Sequence, residues 1–461
     1  MTPLGAKMQT KIKEYLINAE KQRGRTLKIS LLGYGLTNRA ILEAIISSGI
    51  SAEISIRTHA EICDTPPCNI EIIFGDKAFD DIYEDILFVS PSVRRELLSI
   101  PENTLITSDT DLFLAQRHKN LFLVSGSDGK STVTTLTSFL LFPTFPTLFT
   151  GGNIGTPTIL ADLRADAHLL ELSSFNLRYC TPKGGRALLT NVRPNHLNWH
   201  TTLHEYEACK AQLIRSADEA ILTLSCPFNM ELAKSIDAYA LVSMNSTDKE
   251  LRQRYSVKHT VTVEGGMICR DGAGIMPISS LRRRETHNVE NFMSAIALTI
   301  GFASNEQITE IGKSFEGLEH RCEHLSFRGV DYVNSSIDTT PDRTRATLEG
   351  LDRRVTLLVG GRGKGLSFDP MKDTLIKYAD RIVAYGEISK EICEWLDTDP
   401  ALSKIPHVRF EVFTDALEYA DGCVTKGDTL LLSPSATAYG EFTSFAERGR
   451  IFKEYLRNKH T

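Results

Sequence analysis

No apolar stretch in this sequence approaches membrane length; the run around Phe139–Phe142 is the longest, and it is far too short to cross a bilayer. Basic residues are not in excess. Lys and Arg number 52 against 58 Asp and Glu, and a net charge of −6 gives nucleic acid no footing as a partner. Cysteine forms no pattern: nine are scattered along the chain, Cys63 and Cys68 are the nearest pair, and no Cys-x-x-Cys or Cys/His spacing suits zinc. Free thiols in a reducing compartment are expected. Internal repeats and low-complexity tracts are lacking too. Residues 1–27 show no signal-peptide core; they read as a polar lead-in with Ile12, Tyr15, Leu16 and Ala19 at helical spacing, so a cytoplasmic protein without a membrane partner is expected.

What is present is ordinary globular composition, 41% hydrophobic and 24% charged, over 461 residues. Strand-length apolar runs alternate with helical patterns, which predicts an α/β fold with parallel sheets. Strands are expected at Lys28–Leu32, Ala52–Arg57, Ile70–Phe74 and Ile86–Val89; at Leu121–Val124, Leu169–Leu172, Ala187–Asn191, Ala220–Leu224 and Ala240–Val242; and at Tyr332–Asn334, Val355–Val359, Ile382–Ala384 and Leu430–Leu432. Turn signals over Val261–Ile278 predict a small hairpin-rich insert. Helices are expected over Asn288–Ile300 and about Phe442–Leu456. The organisation is three domains in series, 1–115, 116–318 and 319–461.

One motif carries most of the chemistry. The apolar Leu121–Val124 runs into Ser125-Gly126-Ser127-Asp128-Gly129-Lys130-Ser131-Thr132. A strand entering a glycine-bounded turn that opens a helix aims backbone N–H groups and the helix's positive end at an anion. Lys130 can reach outer phosphates and Ser131 can hold Mg²⁺. Glu171 ends a later strand, where a carboxylate suits Mg²⁺, although a surface or capping role is the alternative. His196 follows another strand, and lone histidines are as often structural. Lys210 on a helix reads as an ordinary solvated lysine. Asn288 and Asn291 share a helix face able to bond a base or sugar, with helix capping the alternative for Asn288. Arg321 lies at a domain junction and suits either phosphate or a salt bridge. Gly360-Gly361-Arg362-Gly363-Lys364-Gly365 reads as a second anion turn or a flexible loop. The early turn Gly33-Tyr34-Gly35-Leu36-Thr37 is of the dinucleotide type, but Asn38 occupies the third glycine position.

Taken in order, these segments resemble the Mur ligase family of ATP-dependent amide-forming enzymes. They are Gly-Ser-Asp-Gly-Lys-Ser-Thr, Gly151-Gly152-Asn153-Ile154-Gly155, Glu171-Leu-Ser-Ser-Phe, Asn191 with His196, Tyr206 with Lys210, His287-Asn288 with Asn291, His320-Arg321 and the Gly360 loop. Leu36-Thr37, Leu431-Leu432-Ser433-Pro434 and Phe442, Phe445 and Glu447-Arg448-Gly449 are most similar to the branch joining D-glutamate to UDP-N-acetylmuramoyl-L-alanine. The resemblance implies a Rossmann-like N-terminal domain for the UDP-sugar, a central P-loop ATPase domain and a Rossmann-like C-terminal domain for the amino acid. It implies ATP bound by residues 126–132, that is Gly126, Ser127, Asp128, Gly129, Lys130, Ser131 and Thr132, with Asn288, Asn291 and Arg321. It implies two Mg²⁺ ions held by Ser131, Glu171, His196 and Lys210, with Lys210 carbamylated. Lys130, Glu171, His196 and Lys210 would be catalytic. Leu36, Thr37, Ser90, Asn153, Ser173 and Asn176 would line the muramoyl-peptide groove, and Thr339, Lys364 and Phe445 would meet substrate from the C-terminal domain. A monomer acting on small molecules is implied.

Several positions depart from that pattern. Ile337 stands where a lysine is usual, Ala438 where a serine is usual, Gly363 where an aspartate is common and Asn176 where a glutamine is usual. Arg343 or Arg345 is a candidate for the missing positive charge. A different Mur-type or folylpolyglutamate-type ligase, or a nucleotide-binding homologue without ligase chemistry, are the alternatives these departures leave open.

Overall fold

The computed structural model describes residues 7–59, 66, 70–94, 98–194, 199–200, 202–363 and 365–460. Its described strands gather into three sheets of five, nine and six strands. The chain divides into two compact units, 1–315 and 316–461. The first unit holds two of the sheets, so the first two expected blocks pack together as one body.

In the first sheet β1 (Leu27–Leu32), β2 (Ala52–Thr58), β3 (Glu71–Phe74), β4 (Ile86–Val89) and β5 (Leu105–Thr107) lie in the order β3-β2-β1-β4-β5. All four pairings are parallel. The reversal of strand order beside β1 puts a crevice at its C-terminal end, the usual ligand position in open α/β sheets. The lead-in forms a helix, Met8–Arg23, that buries Met8, Ile12, Leu16 and Ala19 at the expected helical spacing.

The second sheet contains β6 (Leu121–Ser125), β7 (Leu148–Gly152), β8 (Ala167–Glu171), β9 (Arg186–Leu189), β10 (Glu219–Thr223), β11 (Ala238–Ser243), β12 (Val257–Glu264), β13 (Met267–Arg270) and β14 (Ala273–Pro277). Their order is β14-β13-β12-β11-β10-β9-β6-β8-β7. β6 sits centrally between β8 and β9, parallel to both. Its side chains alternate between two cores. Phe122 and Val124 join Val133, Leu136 and Leu140 of helix Lys130–Leu141 and Phe292 and Ile296 of helix Thr286–Leu298 on one face. Leu121 and Leu123 join Tyr206, Leu213 and Ile214 of helix Leu203–Arg215 on the other. The hairpins expected over Val261–Ile278 form the edge of this sheet: β12 pairs with β11 in parallel, and β13 and β14 extend the sheet by antiparallel pairing.

The second unit contains β15 (Glu323–Phe327), β16 (Val330–Asn334), β17 (Val355–Gly360), β18 (Ala379–Tyr385), β19 (His407–Phe410) and β20 (Thr429–Ser435), in the order β15-β16-β20-β17-β18-β19. The same alternation splits Leu431 from Leu430 and Leu432. The closing helix runs Phe445–His460, about one turn later than expected, and buries Arg448, Phe452 and Leu456. No described helix is long and apolar enough to cross a membrane.

Candidate functional site

The turn after β6 is laced to the end of its neighbour β9. Ser127 N donates to the Asn191 carbonyl (2.8 Å) and Asp128 N to Asn191 Oδ1 (3.0 Å). Thr190 Oγ1 donates to the Asp128 carbonyl (2.6 Å). Ser127 Oγ lies 2.7 Å from the Tyr206 hydroxyl and accepts from Arg193 N at 2.9 Å. The amides of Ser127 and Asp128 are therefore turned back onto the protein. The first helical bond runs from Val133 N to the Gly129 carbonyl. The amides at the start of the helix, through Thr132, consequently have no carbonyl of their own helix and point off its N-terminus.

Two glycines are required here. Gly126 (φ +149°) and Gly129 (φ +79°) hold left-handed backbone, and a Cβ on either would collide, with Thr190 Oγ1 and with Asn291 Oδ1 respectively. Asn291, expected to face a nucleotide, thus sits against the phosphate turn itself. Its helix neighbour Asn288 donates to Glu285 Oε2 (2.9 Å). Lys130 Nζ donates to the Ser127 carbonyl (2.9 Å), which folds its ammonium over the turn.

Glu171 and Lys210 flank this turn. Glu171, 1% exposed, closes β8; its Oε1 accepts from Asn153 Nδ2 (2.7 Å), while Oε2 is buried with no hydrogen-bond partner. An orphaned carboxylate oxygen beside a phosphate turn fits Mg²⁺, which takes one or two carboxylates and completes its shell with phosphate and water. Ser131 supplies a hydroxyl of the right kind. Among the described residues no cluster of three or more His, Cys, Asp or Glu forms a metal cage; a phosphate-bridging ion does not need one. His196 and Lys364 lie outside the described residues.

Lys210 is 1% exposed and is not the solvated lysine its helix position suggests. Nζ donates to the Gly126 carbonyl (2.8 Å) and lies 4.8 Å from the centre of the Tyr206 ring. Burial, then the nearby Lys130 cation, hold its pKa well below the usual lysine range. Burial likewise pushes the Tyr206 hydroxyl up to about 12.

The remaining candidates fall into three places. Leu36 and Thr37 open helix Leu36–Ser48 beyond β1, and Ser90 N donates to the Leu32 carbonyl (2.9 Å), so these three share one sheet edge. Asn153 is bound to Glu171, and Gly152 (φ +97°) lets its segment close over the Glu171 carbonyl. Ser173 and Asn176 bond each other as a reciprocal capping box on the short helix Ser174–Arg178, with Asn176 turned inward at 6% exposure.

In the second unit, Arg321 is flanked by two left-handed non-glycine residues, His320 (φ +62°) and Cys322 (φ +45°). Such strain persists only where neighbours enforce it. Glu323 Oε2 accepts from His320 N (2.9 Å), Asn334 Nδ2 lies 3.0 Å from His320 Nδ1, and Cys322 N donates to Ser335 Oγ (3.3 Å). Ser336 Oγ donates to the Phe445 carbonyl (2.7 Å), tying that residue to the end of β16, and Thr339 N bonds the Ile337 carbonyl (2.9 Å). Arg343 Nη1 also donates to the Ile337 carbonyl (3.0 Å), whereas Arg345 lies nearest Asp342 (3.5 Å) and Glu349 (3.9 Å). Three residues outside the expected set matter most. Thr190 and Asn191 hold the phosphate turn. Arg448, fully buried, donates to Ser336 Oγ and to the Ser336 and Ala436 carbonyls at the sheet edge. The Glu-Arg-Gly triplet was visible in the sequence; its target was not.

Comparison with known proteins agrees with this geometry. Residues 124–299 match the Mur ligase middle domain. The UDP-N-acetylmuramoylalanine–D-glutamate ligase of Clostridium kluyveri is 29% identical, covering 95% of this chain and 98% of the relative. Its namesake in Ruminiclostridium cellulolyticum is 29% identical over 98% of this chain and all 100% of the relative. Among solved structures, the UDP-N-acetylmuramate–alanine ligase MurC of Thermotoga maritima shares the fold at a TM-score of 0.56 and 17% identity, over 94% of this chain and 100% of that one. The phosphate turn, the matched domain and the end-to-end similarity agree: residues 124–299 match a Mur ligase middle domain, and the chain is similar to Mur ligases along nearly its whole length.

Proposed function

We propose that this protein is an ATP-dependent ligase that joins UDP-N-acetylmuramoyl-L-alanine to D-glutamate through an acyl phosphate, a cytoplasmic step in making peptidoglycan precursors. The observation that carries the reading is the set around the phosphate turn: Lys130 folded over it, Glu171 with an orphaned oxygen and Lys210 buried against Gly126. Full-length similarity to two named D-glutamate ligases supports the choice of substrates.

In this reading residues 1–115 bind the UDP-sugar, 116–318 bind ATP and 319–461 bind the amino acid. The amides at the helix start and the Lys130 side chain hold the phosphates. Glu171, Ser131, His196 and Lys210 hold two Mg²⁺ ions, which supply charge neutralisation for phosphoryl transfer. Asn153 keeps Glu171 oriented. Arg321 adds a cation for phosphate, and Thr339, Lys364 and Phe445 contact the amino acid. The muramoyl-alanine carboxylate attacks the γ-phosphorus and ADP leaves. The amino group of D-glutamate then attacks the acyl carbon, and phosphate departs.

Lys210 fits carbamylation for a physical reason. Only a neutral amine attacks CO₂, and burial together with the Lys130 cation lowers the Lys210 pKa, which favours the neutral amine. The product is an anion, formed with release of one proton, and suits a cation-rich site where an ammonium would be repelled.

Phosphate release from ATP should require UDP-N-acetylmuramoyl-L-alanine and respond to D-glutamate alone in a panel of D- and L-amino acids. A response to another amino acid would keep the ligase and change its acceptor, a second reading favoured by Ile337 and by the buried, hydroxyl-free Ala438. No response to any would reject ligase activity on this donor.

A further inference from the structure

Asn38 occupies the third position of the β1 turn, where a dinucleotide-type turn has glycine for close helix–strand packing. It is 1% exposed. Its Nδ2 is directed at three carbonyls: Leu32 at the end of β1 (3.0 Å), Gly33 in the turn (2.7 Å) and Phe88 in β4 (3.2 Å). Its own Oδ1 is buried without a hydrogen-bond partner. Burying an unsatisfied acceptor costs free energy that glycine or alanine would avoid, so packing alone does not account for this residue.

What the carboxamide joins is specific. Leu36 and Thr37 open the helix directly after the turn. Ser90 lies two residues beyond Phe88, and its amide bonds the same Leu32 carbonyl that Asn38 holds (2.9 Å). Gly33 (φ +77°) faces Ser90 so closely that a Cβ there would lie 3.0 Å from Ser90 Cβ. One buried side chain thus sets the spacing between the turn and the Ser90 loop across the crevice beside β1.

We infer that Asn38 is a positioning residue for the uridine-diphosphate end of the substrate, fixing the β1 turn and the Ser90 loop at the separation that end requires. This rests on the proposed function, which assigns the first sheet to the UDP-sugar. Asn38 does not touch substrate; it preorganises two loops that do.

The test is calorimetric titration of the full-length protein and its Asn38→Gly variant with UDP-N-acetylmuramoyl-L-alanine and, separately, with ADP. The variant should bind the UDP-sugar at least about tenfold more weakly and ADP unchanged. Hydrogen exchange should speed up at the turn and at Ser90 and stay unchanged around Gly126–Thr132. Equal UDP-sugar affinity in the folded variant would overturn the inference. So would parallel loss of both ligands, which marks a merely structural residue. If Asn38→Gly does not fold, Asn38→Ser is judged by the same two titrations. A wild-type protein that binds ADP but no UDP-sugar would instead overturn the substrate assignment itself.

Discussion

The side-chain nitrogen Nζ of Lys210 donates a hydrogen bond to the carbonyl oxygen of Gly126, 2.8 Å away, from a side chain that is 1% exposed. A lysine from a helix near the middle of the chain is thereby buried under the phosphate turn, with Lys130 the nearest cation acting on it.

This arrangement has a pH signature. The folded pKa of Lys210 is lowered, so between that value and the ordinary lysine range the unfolded chain holds a proton that the folded chain lacks. The unmodified protein should gain stability as pH rises across that window. Lys210→Met should remove this slope, measured by urea unfolding at several pH values, and should abolish ligase turnover. Carbamylation needs the neutral amine, so the adduct, seen as one added CO₂ by native mass spectrometry, should fall away as pH drops through the lowered pKa.

Gly129→Ala should eliminate nucleotide binding. The new methyl meets Asn291 Oδ1, and the backbone is left-handed at φ +79°. Adding Asn291→Ala relieves the collision and leaves the backbone penalty of ~1–2 kcal/mol. The double variant should therefore regain part of the ADP affinity, as titrated by calorimetry. Equal affinities for the single and double variants would show that the collision is immaterial.

Asn153→Ala should raise the Mg²⁺ concentration needed for half-maximal phosphate release by ~10–100-fold, because Asn153 holds Glu171 Oε1 (2.7 Å). Glu171→Gln should be far more severe. An Asn153→Ala protein with unchanged Mg²⁺ dependence and a raised KM for the UDP-sugar would place Asn153 in the substrate groove instead.

His118 and His168 stack edge to face 4.9 Å apart, with His118 Nε2 on the Phe113 carbonyl and His168 Nε2 on the Asp162 carbonyl. Burial lowers the His118 pKa to about 4. The unfolded chain takes up this proton near pH 6.5, before the folded chain does, so the first unit should lose stability as pH falls from ~6.5 towards ~4. His118→Gln should flatten that dependence in urea unfolding curves; an unchanged slope would assign it elsewhere.

The phosphate turn was legible because it is contiguous: strand, glycines, lysine and helix follow one another within a dozen residues. The partners that hold it were not. Asn191 reaches it because β9 lies beside β6, and Asn291 because helix Thr286–Leu298 docks on helix Lys130–Leu141. The short strands Leu105–Thr107, Glu323–Phe327 and His407–Phe410 went unforeseen, since sheet-edge strands that are partly exposed carry no continuous apolar run. Asn176, expected at the groove, also closes a capping box with Ser173, a local bond that spacing alone does not reveal.

The α/β class, the alternating two-faced strands, the position of the phosphate turn and the resemblance to Mur ligases were all readable from the sequence. These follow from periodicity and from neighbours along the chain. Only the tertiary structure decided that Lys210 is buried rather than solvated, that one Glu171 oxygen has no partner, that Asn38 spans three carbonyls and that Arg343 rather than Arg345 reaches Ile337. Burial and hydrogen-bond partnership depend on which strands and helices become neighbours, and that is set by the folded chain as a whole.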